Sequence, residues 1–397
     1  MNYLRRITDM LRGQSGSLPL ECHALPKLIE IEPVNTCNLR CRMCHYSFMP
    51  REAPQHIDPD LLSGFGSMSG TWIKIGSNFE PFMHPKIDQI LGILAEKECR
   101  IDLTTNATLV TPEITDRIAG PHMEQVTVSF DSIHKPTYES IRRRADYEKT
   151  LEHVLYLRNH PSMSKCYFAI NAVLCRSNVK EIRDMIDFWD ARKFHQIRFI
   201  FMVIRSLEED CNGDNDLIHE SLYPIRDVAF RALDLGARHL IESNRRITLN
   251  CTYYRQSKLL KTYPNNIIDH QVQSDNPQAR PYFNPGHHFQ KGSHPDLKVN
   301  CLSPFTFAKI LSNGDVQLCY RFTIGNLYRR SLEDIWNGEQ ARRTRQHIVT
   351  NPSDCMTCDY YRFCLNSDAI DINDKVNYFQ QDLIGSADSM WNDDGDG

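Results

Sequence analysis

Three cysteines, Cys37, Cys41 and Cys44, lie within eight residues and have the spacing C-x3-C-x2-C. They follow the apolar segment Leu28–Ile31, so we expect them in a loop after a strand. A closed structural zinc site takes four protein ligands, and a cubane iron–sulfur cluster also takes four. Three thiolates therefore predict a metal centre with one open position, where chemistry can take place. A structural zinc knuckle and three unrelated core thiols are the alternatives.

A second group of cysteines lies near the carboxyl terminus. Three of its members have ligand-like spacing, Cys355-x2-Cys358-x5-Cys364, and the other two, Cys301 and Cys319, bracket a hairpin signal at Asn313-Gly314. Five thiols supply the four ligands of one further metal centre. The remaining cysteines are expected to be packing residues: Cys22, Cys99, Cys166, Cys175, Cys211 and Cys251.

Charge and hydropathy exclude several classes of function. The chain has 397 residues and a net charge of -4, which gives no electrostatic case for nucleic acid or an anionic membrane as a partner. No apolar run approaches the roughly 20 residues that span a bilayer, and the first residues show no signal-peptide pattern. We therefore expect a cytoplasmic protein, and in that reducing compartment clustered cysteines more often bind metal than form disulfides.

Apolar runs and helical stripes alternate along the first half of the chain. Six runs are predicted as strands, at residues 28–31, 72–75, 101–104, 126–130, 167–174 and 197–203. Helical patterns separate them, and a longer helix at 217–235 and a strand at 246–251 follow. The alternation predicts an α/β fold with a parallel sheet and crossover helices. It does not separate an open doubly wound sheet from a barrel.

Short polar sequences follow several of these strands. The turn after the second strand reads Asn78-Phe79-Glu80-Pro81, and the third strand ends at Thr105-Asn106. The fourth ends at Ser129-Phe130-Asp131, Asn178 follows the fifth, and Arg205 follows the sixth. Because the carboxyl ends of parallel strands meet at one edge, we expect these groups together at the mouth of the fold.

The cysteine spacing and this order of motifs together resemble the radical S-adenosylmethionine (SAM) enzymes, over roughly residues 28–205. The resemblance implies a partial (β/α)6 TIM-like barrel whose cluster loop follows the first strand. It implies a [4Fe-4S] cluster on Cys37, Cys41 and Cys44, with SAM on the fourth iron. Reductive cleavage of SAM would then give a 5′-deoxyadenosyl radical that abstracts a substrate hydrogen.

The resemblance also implies which residues surround SAM. The cofactor-binding candidates are Glu80, Asn78, Asn106, Ser129, Asp131 and Asn178, with Met43 at the position where the family often has an aromatic residue on adenine. The family's Gly-Gly-Glu-Pro motif lacks both glycines here. We therefore expect a locally altered site for the amino group of SAM, which backbone carbonyls can still bind.

The carboxyl-terminal cysteines lie in a longer pattern with Gly325-Asn326-Leu327 and the sequence S-L-x-x-I-W at residues 331–336. This pattern resembles the SPASM/twitch extension of radical SAM enzymes and implies an auxiliary [4Fe-4S] cluster. The full pattern has seven cysteines for two clusters, so the five here indicate one. Cys301, Cys319 and Cys358 are the safer ligands, and either Cys355 or Cys364 completes the set. A four-cysteine zinc site is the rival interpretation.

The patterns divide the chain into four parts. We expect an N-terminal helical extension at residues 1–27 and a radical SAM barrel at 28–245. A small α+β SPASM/twitch-like domain is expected at 246–384, with a long loop at 262–298, followed by a disordered tail at 385–397.

The resemblance implies a radical SAM oxidoreductase or radical-modifying enzyme that receives electrons from a flavodoxin- or ferredoxin-type donor. We expect oxidation (dehydrogenation), or epimerisation with Cys251 or Cys175 as hydrogen donor. The expected substrate is a small polar metabolite such as a sugar or aminocyclitol, because residues 1–27 are too short for a peptide-binding domain. A maturase for a ribosomally made peptide or a protein side chain is the alternative. A non-catalytic iron–sulfur or zinc protein that kept the fold is an alternative of another class.

Overall fold

The computed structural model describes residues 22, 25–47, 53–201, 226–243, 245–251, 303–319 and 321–350. Its strands are β1 (Leu28–Ile31), β2 (Trp72–Ile75), β3 (Arg100–Thr105), β4 (Met123–Ser129), β5 (Tyr167–Leu174), β6 (Gln196–Phe201), β7 (Thr248–Cys251), β8 (Phe307–Ile310), β9 (Asp315–Leu318) and β10 (Phe322–Asn326).

The α-helices of the described residues are α1 (Pro59–Ser63), α2 (Ile87–Glu96), α3 (Pro112–Ile118), α4 (Lys135–Ile141), α5 (Tyr147–Asn159), α6 (Ile182–Ala191), α7 (Arg226–Glu242), α8 (Ser303–Thr306), α9 (Leu332–Trp336) and α10 (Glu339–Thr350). Short 3-10 turns lie at His45–Ser47, Pro81–Met83, Pro161–Met163 and Val179–Glu181.

All of these strands belong to one sheet, in the order β10-β9-β8-β1-β2-β3-β4-β5-β6-β7. Every neighbouring pair from β8 to β7 is parallel, whereas β8-β9 and β9-β10 are antiparallel. Helices connect successive parallel strands, as parallel pairing requires. The predicted α/β class with a TIM-like parallel sheet is therefore confirmed.

The two faces of the sheet differ in polarity. Alternate residues such as Ile29, Ile73 and Ile101 are buried in the same apolar core as the stripes of α2 and α6. Because side chains alternate across a strand, the residues between them point to the opposite face. That face, which we call the lumen face, carries polar residues at two registers: Lys309, Glu30, Lys74, Asp102 and Gln125 at the first, and Asn171 with Arg198 at the second.

The strong apolar patterns were predicted correctly, and the short or polar elements were not. β1, β2 and β5 have the predicted bounds, whereas β4 begins at Met123 and ends one residue before the predicted end. The prediction missed α4, β10, α9 and α10. Helix α4 buries only Tyr138 and Ile141 and has a proline in its first turn, so its periodicity is too weak to read.

The carboxyl-terminal segment adds strands beside β1. The predicted Asn-Gly hairpin is confirmed as the β8-β9 turn, where Gly314 has a φ of +81°. A Cβ atom there would lie 2.6 Å from the Tyr328 ring, so only glycine fits. The strand β7 pairs with β6, on the other side of the boundary predicted at residue 245; the domain limits remain predictions.

Three predicted features lie outside the described residues: the extension at 1–27 apart from its last residues, the loop at 262–298, and the tail at 385–397. The same holds for the first residues of the helix predicted at 217–235. Within the described part of the chain, no helix combines the length and apolarity that a bilayer span requires.

Candidate functional site

The loop after β1 carries the first three cysteines and lies at the carboxyl end of the parallel strands. Cys41 is buried, and Cys37 and Cys44 are half-buried. The Cys44 N–H donates to the Cys41 carbonyl at 3.1 Å, which turns the loop back on itself. The Cys37 Sγ accepts from the Leu39 N–H at 3.5 Å and from Asn106 Nδ2 at 3.7 Å. The structure thus places Asn106, a predicted cofactor residue, against a predicted ligand.

The cysteine loop is also bonded to the end of α4. The Arg40 N–H donates to the Arg143 carbonyl at 3.1 Å, and the Arg42 N–H donates to the Ile141 carbonyl at 2.8 Å. Arg142, between these two carbonyls, is 5 % exposed and forms an ion pair with the fully buried Asp131. Arg142 was not predicted from the sequence, where the arginine run at 142–144 was the available signal.

Burial raises the pKa of all three thiols, to about 12 for Cys41. The positive charge of Arg142 acts in the opposite direction and lowers the pKa of each thiol. Because thiolates are the ligating form, metal binding must release protons from this loop.

The donor set fits an iron–sulfur cluster better than a single zinc ion. Bonds of ~2.3 Å around one zinc would bring thiolate sulfurs to about 3.8 Å from one another. The three Sγ atoms here do not all lie within 4.8 Å of one another. Three separated soft ligands suit a polynuclear centre that leaves one metal position to another ligand.

Glu80 joins the ends of β2 and β3. Its carboxylate accepts from Thr105 Oγ1 at 2.7 Å, from the Asn106 N–H at 2.7 Å and from the Phe82 N–H at 3.3 Å. Its own N–H donates to the Thr36 carbonyl, just before the cysteines, at 3.2 Å. The side chain is 2 % exposed, and burial raises its pKa to about 7. These contacts give Glu80 an architectural role at the site.

Gly76 allows β2 to approach β3 closely at this edge. It has a φ of +85°, and a Cβ atom there would lie 2.1 Å from the Thr104 carbonyl oxygen. No other residue fits this position without a backbone shift. The chain therefore keeps one glycine in the β2 turn, although the two expected before Glu80 are absent.

Asn78 belongs to a buried charge network on the lumen face. Its Nδ2 donates to the Glu32 carboxylate, which also accepts from Lys309 Nζ at 2.7 Å. Lys309 Nζ lies 3.0 Å from Glu30 Oε1. Lys309 is on β8, so a residue from the carboxyl-terminal segment reaches the turn predicted to bind SAM. A lysine within the apolar run of β8 was the available sequence signal for this network.

Asp131 and Asn178 form hydrogen bonds within the protein, including one with each other. Asn178 Nδ2 donates to the Asp131 carbonyl at 2.6 Å and to the Val173 carbonyl at 2.9 Å. The Val173 N–H donates to Asp131 Oδ1 at 2.8 Å. These bonds fix the ends of β4 and β5. Ser129 lies directly opposite Asn171 in the sheet, and its part in SAM binding stays a prediction.

For the remaining predicted residues the structure gives fewer contacts at the cysteine loop. Met43 lies half-buried in the cysteine loop. Cys175 is fully buried after β5, and its N–H donates to Asn178 Oδ1 at 2.9 Å. Cys251 ends β7, but its side chain lies outside the described residues. Cys319 is half-buried with a φ of +65°, and the other carboxyl-terminal cysteines lie outside the described residues: Cys301, Cys355, Cys358 and Cys364.

Comparisons with known families address the identity of the chain. The model of the radical SAM superfamily matches residues 31–189, which include the cysteine loop and the strand ends just described. The model of SPASM, an iron–sulfur cluster-binding domain, matches residues 301–359. This chain is a radical SAM enzyme with a SPASM domain. Its cofactors are a [4Fe-4S] cluster with SAM and an auxiliary iron–sulfur cluster in the SPASM domain. The zinc and non-catalytic alternatives are therefore set aside.

Relatives of this radical SAM enzyme differ in what they act on. The AdoMet-dependent heme synthase of Methanosarcina barkeri (strain Fusaro / DSM 804) is 22% identical over 346 residues, which are 85% of this chain and 90% of that protein. Streptococcus suis SuiB bound to precursor peptide SuiA has a TM-score of 0.57 and 17% identity, over 90% of this chain and 74% of SuiB. Native anSMEcpe with bound AdoMet has a TM-score of 0.55 and 14% identity, over 91% and 100%. The two structural likenesses show the fold.

Replacing Glu80 tests its buried carboxyl. Since its folded-state pKa of about 7 lies above the ordinary 4.5, the folded chain keeps the proton longer than the unfolded chain does. The free energy of unfolding should therefore fall by roughly 3 kcal/mol as the pH rises from about 4.5 to about 7. Urea unfolding of the iron-free chain across this range should show the fall, and Glu80→Gln should make it smaller.

Glu124→Gln is the matched control, because Glu124 is an exposed carboxylate paired with Arg100. It should keep the wild-type dependence of stability on pH. A Glu80→Gln variant that also keeps this dependence would show that another group titrates.

Proposed function

We propose that this enzyme cleaves SAM reductively at the Cys37, Cys41 and Cys44 centre and removes hydrogen from a small polar metabolite held on the lumen face. The cluster and SAM, when bound, supply the 5′-deoxyadenosyl radical. The chain's own residues exclude water, hold SAM at the strand ends and place the substrate. Oxidation of a sugar or aminocyclitol is the favoured reaction, with epimerisation as the second form.

The polarity of the lumen face carries this proposal. Lys309, Glu30, Lys74 and Asp102 occupy one register across β8, β1, β2 and β3, so their charges alternate in sign. These groups pair with one another, and an apolar substrate laid over them would take their remaining water away without offering hydrogen bonds in return, which costs free energy. A substrate rich in hydroxyl, amino or acidic groups satisfies them.

Arg198 is the strongest candidate for contact with the substrate. Its guanidinium donates to Asn171 Oδ1 at 3.2 Å and to Gln196 Oε1 at 3.0 Å, both neutral oxygens. Among the residues that the structure describes, no carboxylate lies within ion-pair distance of it; Asp102 acts on it only from further away. Burial lowers the pKa of Arg198 despite that charge. Its remaining N–H groups suit a hydroxyl or acidic group of the substrate.

Arg198 also has the same register in the sheet as Ser129, the last residue of β4. Asn171 is opposite Arg198 on β6 and opposite Ser129 on β4. Strand spacings of about 4.8 Å separate Arg198 from Ser129 by roughly 10 Å along the sheet. A small metabolite bound at Arg198 would therefore reach toward the strand ends at which SAM is expected.

A peptide or tetrapyrrole substrate is the second candidate. The SuiB structure that contains a precursor peptide resembles 90% of this chain in fold, and the heme synthase of Methanosarcina barkeri aligns over nearly its whole length. Both relationships have low identity, so they do not select between the two candidates. The polar lumen face favours the small metabolite. Electron delivery by a flavodoxin- or ferredoxin-type donor and a cytoplasmic location are part of the same proposal.

Substitution of the cysteine loop tests the radical chemistry. The anaerobically reconstituted wild type should hold about eight irons per chain, from two cubanes, and release 5′-deoxyadenosine with SAM and dithionite. The variant with Cys37, Cys41 and Cys44 all changed to Ala should hold about four irons and release none. A matched triple variant, with Cys22, Cys99 and Cys166 changed to Ala, should behave as wild type. Cleavage of SAM by the loop variant would disprove the proposed site.

Arg198→Gln tests the substrate site. A panel of sugars, aminocyclitols and peptides is first screened for compounds that accelerate 5′-deoxyadenosine formation by the wild type. Loss of charged hydrogen bonds should lower the stimulated rate by about ten- to a hundredfold. The slow cleavage without substrate should persist.

Arg117→Gln is the control for this variant, because Arg117 is exposed and pairs with Asp88. It should leave the stimulated rate unchanged. Full stimulation of Arg198→Gln would exclude contact with the substrate, and stimulation by peptides alone would favour the second candidate.

A further inference from the structure

A buried arginine lies opposite the middle thiol of the cysteine loop. The Arg40 and Arg42 N–H groups donate to the carbonyls of Arg143 and Ile141, at 3.1 and 2.8 Å. These two bonds have the register of an antiparallel pair, with Cys41 and Arg142 as the opposed residues between them. The charges of Arg142 and Cys41 act on each other, which agrees with this placement.

The Arg142 side chain is held in place by Asp131. Arg142 Nε lies 2.7 Å from Asp131 Oδ2, and the two side chains are 6% and 0% exposed. Asp131 is itself fixed by the Val173 N–H and by Asn178 Nδ2, at 2.8 and 2.6 Å. The guanidinium therefore remains beside the cysteine loop and is shielded from water.

The charge of Arg142 is felt throughout the loop. It lowers the pKa of Cys37, Cys41 and Cys44, and also that of Glu80. Asp131 has the opposite effect and raises the pKa of Cys41. A buried cation and a buried anion thus act on the same thiols with opposite sign. Burial of the thiols is the larger cause and raises their pKa, and it also limits the screening of these two charges by solvent.

We propose that Arg142 sets the reduction potential of the iron–sulfur cluster on Cys37, Cys41 and Cys44, and that Asp131 holds Arg142 in place and partly offsets its charge. One electron from a low-potential donor adds one negative charge to the cluster, and no bond is made or broken. A nearby cation stabilises the reduced state, and a nearby anion destabilises it. The inference rests on the cluster of the proposed function and adds the residues that tune it.

The test is a potentiometric titration of the reconstituted full-length chain without SAM or substrate, followed by electron paramagnetic resonance. The Cys37, Cys41 and Cys44 to Ala variant supplies the auxiliary signal to be subtracted. Arg142→Gln should make the equilibrium constant for one-electron reduction about tenfold smaller, a fall in potential of about 59 mV. Asp131→Asn should raise the potential, because it removes the offsetting anion and leaves the cation.

Two further variants separate charge from architecture. Arg142→Lys keeps the charge and should stay closer to the wild-type potential than Arg142→Gln. Arg144→Gln makes the same change at an exposed arginine two residues away and should leave the potential unchanged. If Arg142→Gln does not hold a cluster, the reduction potential of Asp131→Asn is the test: a rise supports the inference, and no rise overturns it.

Potentials that move in the same direction for Arg142→Gln and Asp131→Asn, or that do not move in loaded proteins, would overturn the inference. A wild type that binds iron and cleaves SAM would leave the proposed function standing in that event. A wild type with no cluster signal from the cysteine loop would overturn the proposed function itself.

Discussion

The buried carboxyl of Glu80 holds the mouth of the sheet together. It accepts three hydrogen bonds from the ends of β2 and β3, and its own amide bonds to the start of the cysteine loop. A carboxyl group 2 % exposed, with no ion-pair partner among the residues that the structure describes, is tolerated because those donors satisfy it. Glu80 therefore helps to set the position of the cysteines relative to the strand ends, together with the bonds between the loop and the end of α4. In this chain the Glu-Pro sequence is part of the frame at the strand ends where SAM binding is predicted.

Two buried groups of charged residues lie near this frame in the described part of the chain. Arg142 and Asp131 lie beside the cysteine loop, and Lys309 with Glu30 and Glu32 lies on the lumen face. Buried ion pairs are weak contributors to stability, because the desolvation penalty offsets most of their attraction. Their role here is to fix the positions of the elements that they join. Strand β8 pairs with β1, and its Lys309 joins the SPASM-matched region to the turn that is predicted to bind SAM.

The sequence predicted features that repeat locally or that match a known motif. The apolar runs of β1, β2 and β5 gave correct strand bounds, and the cysteine spacing indicated the metal centre. It did not reveal Arg142, because its partners Asp131 and the cysteine loop are brought to it only by the fold. It suggested Glu80, Asp131 and Asn178 as ligands of SAM, but a motif does not show that their side chains are engaged within the protein.

Mössbauer spectroscopy of the chain reconstituted with 57Fe, before and after SAM is added, tests the central claim most directly. That claim is that three cysteines hold a cluster whose remaining iron is open to SAM. One iron of the cluster on the Cys37 loop should change its isomer shift on addition of SAM, while the auxiliary cluster is unaffected. Spectra that are identical with and without SAM, from a chain that retains its iron, would contradict the account.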